Sequence, residues 1–530
     1  MSSRLARSAW VISVATMTSR ALGGVRELVL AALIGAGDAM DAFFVAFRIP
    51  NLVRDLFAEG AMSAAFVPTF TRYLTTRGKA DAWRLGNLVI TALLLVTGAL
   101  VVAGLVFAEP LVRLIAGDYA TVPSKLELTI TLTRIMLPFL TMVAVAVAMM
   151  GMLNALHHFF IPALSPAMFN VATILCAFVA VPLMPAVGLP PVAGIAIGTL
   201  VGGLGQIAIQ WPMLRREGFQ YRPIVDPRDR GLQEVLLLMG PGTLGLAAVQ
   251  INIFVNTVLA TGEGTGAVSW LSYAFRLMYL PIGLFGVSIA TAAIPEISRY
   301  AAVNDTDGMR RTLSSGLRMM MMLNVPATVG LVALATPIVS LLFERGQFAI
   351  DRSTAPTAAA LMCYAPGLVG YSVVKIATPT FYALRDSRTP VLVSAATVAI
   401  NLVLNLSLVR VMGYRGLALG TALAALFNAS LLLYLLGRRL GGIDGPRIAV
   451  TLAKIAVASL VMGAAAYGAD AALSGVLPGA SLLARFVRVL GAIGAGIAVL
   501  AVSAKLLRIQ EFDDALRRMG ARVTSSGEPR

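Results

Sequence analysis

The sequence predicts an all-α polytopic membrane protein. Of its 530 residues 58% are hydrophobic and only 13% charged, and the apolar residues gather into about fourteen runs long enough to cross a bilayer. That composition excludes a water-soluble fold, which needs roughly twice the charge. Cys176 and Cys363 are the only cysteines, each inside an apolar run, which excludes a disulfide scaffold and reads as small buried side chains. The runs lack the dyad alternation of barrel strands. Only helices then bond every peptide group inside hydrocarbon.

Taken in order, the first six runs are Ala9–Gly35, Asp41–Tyr73, Leu85–Phe107, Leu126–Leu156, Ile161–Leu183 and Val192–Leu214. Six more follow the basic stretch Arg215–Arg230: Leu232–Ala260, Ala267–Ile297, Leu313–Phe343, Ala355–Leu384, Val391–Val409 and Leu417–Leu436. Ile448–Ala472 and Leu482–Leu507 complete the set. Each holds roughly twenty or more mostly apolar residues, the length a 30 Å hydrocarbon core demands. The first follows Arg4 and Arg7 as a signal peptide would, but it is long, contains Arg20 and Arg26 and lacks a cleavage site, so it reads as a retained helix.

Loop charge sets the expected orientation. Alternate loops and both termini carry 25 lysines and arginines against 7 on the other side, which places both termini in the cytoplasm and requires an even number of spans. Trp10, Trp83, Trp211 and Trp270 fall near span ends, where interfacial indoles belong.

The two halves echo each other. Pro68 to Arg72-Tyr73 is answered by Pro295 to Arg299-Tyr300, 227 residues on, and Asn154-Ala155-Leu156 by Tyr382-Ala383-Leu384, at 228. Arg48 is answered by Arg276. The expected organisation is therefore a first lobe over residues 1–214, a basic cytoplasmic linker over 215–231, a second lobe over 232–437, two added helices over 448–507 and a cytoplasmic tail over 508–530. Even-numbered repeats insert the same way up, so a pseudo-two-fold along the membrane normal relates them, an arrangement that places substrate between the lobes.

Charges inside the spans point to function. The second run carries Arg48, Arg54, Asp55 and Glu59 after Asp41. At about 3 kcal/mol each they cost on the order of 12 kcal/mol, more than roughly fifteen apolar residues at about 0.5 kcal/mol return. Asp41, Arg48, Asp55 and Glu59 fall near one stripe of the helix, past a kink at Pro50, and a wet cavity is their natural setting. In the first run Arg20 and Glu27 share a face, Arg26 lies on another, and Gly23-Gly24 permits close packing. One reading is structural, with Arg20 and Arg26 pairing with Asp41, Asp55 or Glu59 to hold helices together. The other is an anion site, because arginine's planar fork suits phosphate oxygens.

Other features read plainly. His157-His158 is a solvated or headgroup-facing pair with no further ligands for a metal. Met319 to Met322 is packing, and Arg134, Arg318 and Lys375 are snorkelling residues. The basic residues are scattered between apolar runs, not clustered with aromatics, so nucleic acid is not an expected partner. No GxxxxGK[ST] loop is present, and no cofactor, metal or enzymatic activity is expected.

The run Thr18-Ser19-Arg20 to Gly23-Gly24-Val25-Arg26-Glu27, the run Asp41 to Arg48-Ile49-Pro50-Asn51 and Arg54, then Phe57-Ala58-Glu59-Gly60 and Phe66-Val67-Pro68 resemble the MurJ (MviN) family of lipid II flippases. The likeness continues in Tyr273 to Arg276, Phe343-Glu344-Arg345-Gly346, Phe381 to Asp386-Ser387-Arg388-Thr389-Pro390, and Asn401 with Asn405. The resemblance implies the multidrug/oligosaccharidyl-lipid/polysaccharide exporter fold, with the last two helices forming a groove for a lipid tail. It implies that Arg20, Arg26, Arg54 and Arg276 bind the pyrophosphate and sugar-peptide head of lipid II, with Glu27, Asp41, Arg48, Asp55 and Glu59 lining the cavity or coupling the cycle. The family resembled commonly carries an aspartate where this chain has Phe275, and some of its members a carboxylate where it has Tyr279. The implied setting is the bacterial inner membrane, and the implied partners are lipid II, membrane lipids and the cell-wall synthesis machinery. A MATE-like exporter of organic cations, a polysaccharide-lipid exporter and a non-transporting scaffold are the competing readings.

Overall fold

The computed structural model describes residues 2–55, 65–477 and 481–513, and every regular element among them is helical. In the first half these are α1 (Ser2–Ile34), α2 (Asp38–Asp55), α3 (Val67–Thr76), α4 (Lys79–Val106), α5 (Ala108–Ala116), α6 (Lys125–Met136), α7 (Phe139–Ala155), α8 (Phe160–Val179) and α9 (Ala193–Arg216). The second half runs through α10 (Arg230–Thr261), α11 (Ala267–Pro281), α12 (Val287–Ala302), α13 (Thr306–Ala333), α14 (Ala335–Phe343), α15 (Gly346–Ile350), α16 (Thr354–Tyr364), α17 (Gly367–Ala383), α18 (Arg388–Met412) and α19 (Tyr414–Leu440). The added pair is α20 (Gly445–Val476) and α21 (Leu482–Leu506).

Three pairs of helices have the same length in the two halves. Helices α4 and α13 are each 28 residues long, and α5 and α14 each 9. Helices α7 and α17 are each 17 residues long. The echoed Arg-Tyr pairs also make the same local contact, with Arg72 5.9 Å above the Tyr73 ring and Arg299 5.3 Å above that of Tyr300.

Some of the expected runs are interrupted. Leu126–Leu156 corresponds to α6 and α7, which join across a turn at Leu137-Pro138 into one membrane-length span, Lys125–Ala155, and Ala355–Leu384 becomes α16 and α17, bent by 44° before Gly367. Ala267–Ile297 is interrupted after Pro281 by the π-helical turn Ile282–Gly286. Proline removes an N–H and clashes with the preceding turn, so these bends follow from residues already visible in the chain. By length and composition nine helices among the described residues can span a membrane, or ten if α16 and α17 count as one, against the fourteen expected. Part of the second expected span, 56–64, lies outside the described residues.

Contacts divide the chain into two compact units, Met1–Ser269 with Arg345–Asp351, and Trp270–Glu344 with Arg352–Arg530. In the first, α1 packs along α8, α2 along α6, and α7 along α9, while α10 packs on α2 to α5. Its core joins Phe66, Phe70, Met149, Met152 and Phe219, and Trp83 and Trp211 flank Phe219 at ring separations of 5.3 and 6.2 Å. In the second, α19 packs on α18 and α17, and α20 on α13 and α21. Met320, Met321 and Met322 lie in its core, as expected of packing residues. Both cysteines are free and half-buried, where full burial was expected.

Two motifs acquire structural roles. The Asp386 carboxylate accepts from the Thr389 N–H at 3.0 Å and the Thr389 hydroxyl at 2.8 Å, opening α18, and it also receives Arg439 at 3.0 Å. Those two Thr389 hydrogen bonds, ahead of the Arg439 charge, hold its carboxyl below the usual carboxylate range. Gly346, in the Phe343 to Gly346 motif, has φ +50°, and a Cβ there would lie 2.2 Å from the Ala32 carbonyl oxygen of α1. Replacing Gly346 by alanine therefore combines backbone strain with a steric clash and is expected to cost about 3 kcal/mol. Gly98→Ala in α4, with open space around its Cβ, is expected to be neutral or mildly stabilising. Thermal unfolding of the two variants in detergent measures the contrast.

Candidate functional site

The first turn of α2 carries Asp38 and Asp41, where the exposed N–H groups of a helix start favour negative charge. Asp41 is completely buried. Its Oδ2 accepts from Lys125 Nζ at 3.0 Å and the Gly266 N–H at 2.7 Å, and its Oδ1 from the Ser269 N–H at 2.9 Å and the Ser269 hydroxyl at 2.7 Å. Lys125, also buried, lies 2.7 Å from Asp38 Oδ1 and 4.1 Å from the centre of the Tyr119 ring. A buried charge persists only when paired and hydrogen-bonded, and four donors saturate this carboxylate. Asp41 is thus a structural anchor in this conformation, facing protein and not the wet cavity expected of its stripe. Lys125 and Asp38 were not legible as site residues. Lys125 heads an apolar run and counts as an outer-loop charge in the sequence, and nothing near it in the chain marks its carboxylate partners.

Two of the first-unit arginines pair with the next residue in the chain. Arg26 turns its Nε and Nη2 side-on to Oε1 of its neighbour Glu27, at 3.1 and 2.5 Å. Arg54 does the same to Asp55 Oδ1, at 3.0 and 2.7 Å. Asp55 also accepts from Gln250 at 3.3 Å and Asn51 at 3.4 Å. Adjacent helix positions do not face each other, so only a long side chain folding back makes such a pair. The interhelical pairing of first-run arginines with Asp41 or Asp55 is not observed: Asp41 is taken by Lys125 and Asp55 by Arg54. Glu27, expected to share a face with Arg20, is buried against Arg26. Arg20 is exposed, and Arg26, Arg48 and Arg54 are half-buried. Glu59 lies outside the described residues. Helix α1 is held to α8 by the Asn170 amide, which donates to the Ser19 carbonyl at 3.1 Å, and Gly23 sits beside the same Asn170.

In the second unit Arg276 is half-buried on α11. Its neighbour Phe275 stacks on Tyr279 at 5.8 Å and meets Tyr364 and Tyr371 edge-on at 5.4 and 6.1 Å. An aromatic cluster thus occupies positions where the resemblance implies carboxylates. Arg318, expected to snorkel, is instead buried and paired with Glu511. His158 is half-buried and shares Glu217 with Lys79, at 2.8 and 3.0 Å. Those two hydrogen bonds hold the Glu217 carboxyl below the usual range. Among the described residues no three His, Cys, Asp or Glu side chains are grouped to hold a metal ion.

The family profile described as "Lipid II flippase MurJ" matches residues 30–487. The chain is 37% identical to the probable lipid II flippase MurJ of Vibrio cholerae, over 82% of this chain and 83% of that one. It is 35% identical to the lipid II flippase MurJ of Burkholderia cenocepacia, over 83% and 85% respectively. The chain belongs to the MurJ family. It is accordingly a multi-pass membrane protein.

Solved structures agree on the MurJ fold. A lipid II flippase MurJ in an inward closed conformation matches with a TM-score of 0.75 at 24% identity, covering 94% of this chain and 99% of that one. An inward-facing MATE multidrug transporter matches at 0.65 and 17%, covering 82% and 95%. The MurJ motif residue Asp41 serves four donors, so Asp41→Ala is expected to destabilise by about 3–5 kcal/mol. Asp38→Ala removes a part-exposed partner of the same lysine and is expected to cost about 1 kcal/mol or less. Comparing the unfolding temperatures of the two purified variants checks this.

Proposed function

We propose that this chain translocates undecaprenyl-pyrophosphate-linked peptidoglycan precursor, lipid II, from the inner to the outer leaflet of the bacterial inner membrane by alternating access, with both termini cytoplasmic. Membership of the MurJ family is the observation that carries the reading. The physical chemistry agrees. A pyrophosphate cannot enter hydrocarbon bare, and arginines that keep accessible surface offer charge-assisted, bidentate hydrogen bonds while the prenyl chain stays in lipid. Residues 1–214 and 232–437 act as the two lobes, and α20 with α21 receives the lipid tail.

Arg20, Arg26, Arg54 and Arg276 bind the pyrophosphate and head group. Glu27 and Asp55 hold Arg26 and Arg54 until the substrate anion competes for their forks, and Arg48, Asp41 and Glu59 serve the conformational cycle. This exchange supports release, because Arg26 and Arg54 each have a carboxylate to return to. A MATE-like site for organic cations would need acidic or aromatic binding groups where these arginines stand. A scaffold that uses the charges only to bridge helices would have no need of the accessible surface that Arg20, Arg26 and Arg54 keep.

Each of Arg20→Ala, Arg54→Ala and Arg276→Ala is expected to lower precursor translocation about tenfold or more, the worth of one or two charge-assisted hydrogen bonds. Arg54→Lys is expected to restore little, because lysine lacks the fork. The measurement is relief of inner-leaflet precursor accumulation in cells depleted of their own flippase. Normal translocation by all three alanine variants would overturn the site, and failure of the unaltered chain to relieve the block would overturn the function.

A further inference from the structure

A cavity of about 390 Å³ in the second unit lies between the start of α20, the middle of α13 and the segment that follows α21. Its walls include Arg318, Arg447, Lys454, Arg508, Gln510 and Glu511. That segment is turned back by the C-terminus of α21. The Ile509 N–H donates to the Ala504 carbonyl at 2.9 Å and the Arg508 N–H to that of Lys505 at 3.1 Å, with Arg508 in the left-handed region at φ +50°. Ile509 and Glu511 are thereby buried, and Glu511 meets the guanidinium of Arg318.

The pair Arg318 and Glu511 is neutral. Arg447 donates to the uncharged Gln510 at 3.2 Å. Among the described residues neither Lys454 nor Arg508 has an ion-pair partner. Three cations therefore converge on one small space at the N-terminal end of a 32-residue helix, whose own field is positive there. From Val450 in the cavity wall, α20 continues to Val457 two turns on along one face, the two being 57% and 52% exposed. The arrangement is a charged cup at the head of an apolar stripe.

We propose that this cavity is a binding site for a phosphate group, carried by an anionic phospholipid whose acyl chains lie along the exposed face of α20. None of its lining residues is among the arginines assigned to lipid II. Its volume admits a phosphodiester head and no folded partner. The loops beside it belong to the side on which lysine and arginine concentrate, the leaflet side where basic pockets between helices meet anionic headgroups. The placement in that leaflet rests on the orientation proposed above, whereas binding itself does not depend on transport. The bound anion neutralises Arg447, Lys454 and Arg508 together and so ties the start of α20 to the segment after α21.

The test uses the purified full chain in zwitterionic detergent. Phosphatidylglycerol, phosphatidylcholine or inorganic phosphate is added, and retention is read by native mass spectrometry together with the unfolding temperature. The unaltered chain is expected to retain phosphatidylglycerol and be stabilised by it, and not by phosphatidylcholine. Lys454→Gln/Arg508→Gln is expected to weaken that retention about tenfold or more. Arg215→Gln/Arg216→Gln, which removes the same charge elsewhere, is expected to leave it unchanged. Stabilisation by inorganic phosphate alone, lost in the same cavity variant, would support the phosphate site with a free anion as its source. Equal weakening in both double variants, or no retention by the unaltered chain, would overturn the proposal. The cavity variant leaves the Arg318 and Glu511 pair intact and is expected to unfold at the same temperature as the parent without added lipid. Lys454→Met, which keeps the stem packing, repeats the test with a single change, and parental retention by it and by the double variant would also overturn the site. None of these readouts measures translocation, so their outcome is independent of the flippase assignment.

Discussion

Hydrocarbon offers no partner to a charge or to a bare peptide group, and most of this structure follows from that constraint. The peptide groups are satisfied by making every regular element among the described residues a helix. The charges within those helices are satisfied in two different ways. Asp41 is buried in a fixed nest of four donors, with Lys125 sealed beside it. Arg26 and Arg54 are paired with the next residue in the chain and keep accessible surface. The first arrangement gives up reactivity for position, since a saturated buried carboxylate has nothing left to offer a ligand. The second keeps each guanidinium compensated while leaving its partner exchangeable.

Duplication supplies the scaffold on which these charges sit. Helix lengths recur in α4 and α13, in α5 and α14, and in α7 and α17, and the terminal Arg-Tyr stack recurs with them. The charged content does not recur in the same way. Arg48 in the first half is answered by Arg276 in the second, whose chain neighbour Phe275 joins an aromatic cluster with Tyr279, Tyr364 and Tyr371.

Much of the fold was legible because hydropathy and proline act locally. The long apolar runs became helices, and Pro138, Pro281 and Pro366 stand beside the turns that interrupt the expected spans. The bends were less legible. A run of apolar residues does not reveal the angle when the residues on both sides of a proline are equally apolar, and α16 with α17 is such a case. The candidate site was legible in its residue types and not in its pairings. Arg318 looked like a snorkelling residue until Glu511, 193 positions away, was found against it, and Lys125 looked like a loop charge until α6 brought it under Asp41.

The sequence by itself determined the class, the repeat, the family resemblance and the presence of arginines where lipid would not tolerate them. Each of these depends on composition or on spacing along one helix, which a periodic chain displays directly. Only the tertiary structure decided which carboxylate serves which cation, that Asp41 is sealed, that Gly346 must pass within reach of the Ala32 carbonyl, and that Arg447, Lys454 and Arg508 share a cavity. Those outcomes turn on contacts between residues tens to hundreds of positions apart. Their energies depend on distance and local dielectric, and neither quantity exists until the helices have packed.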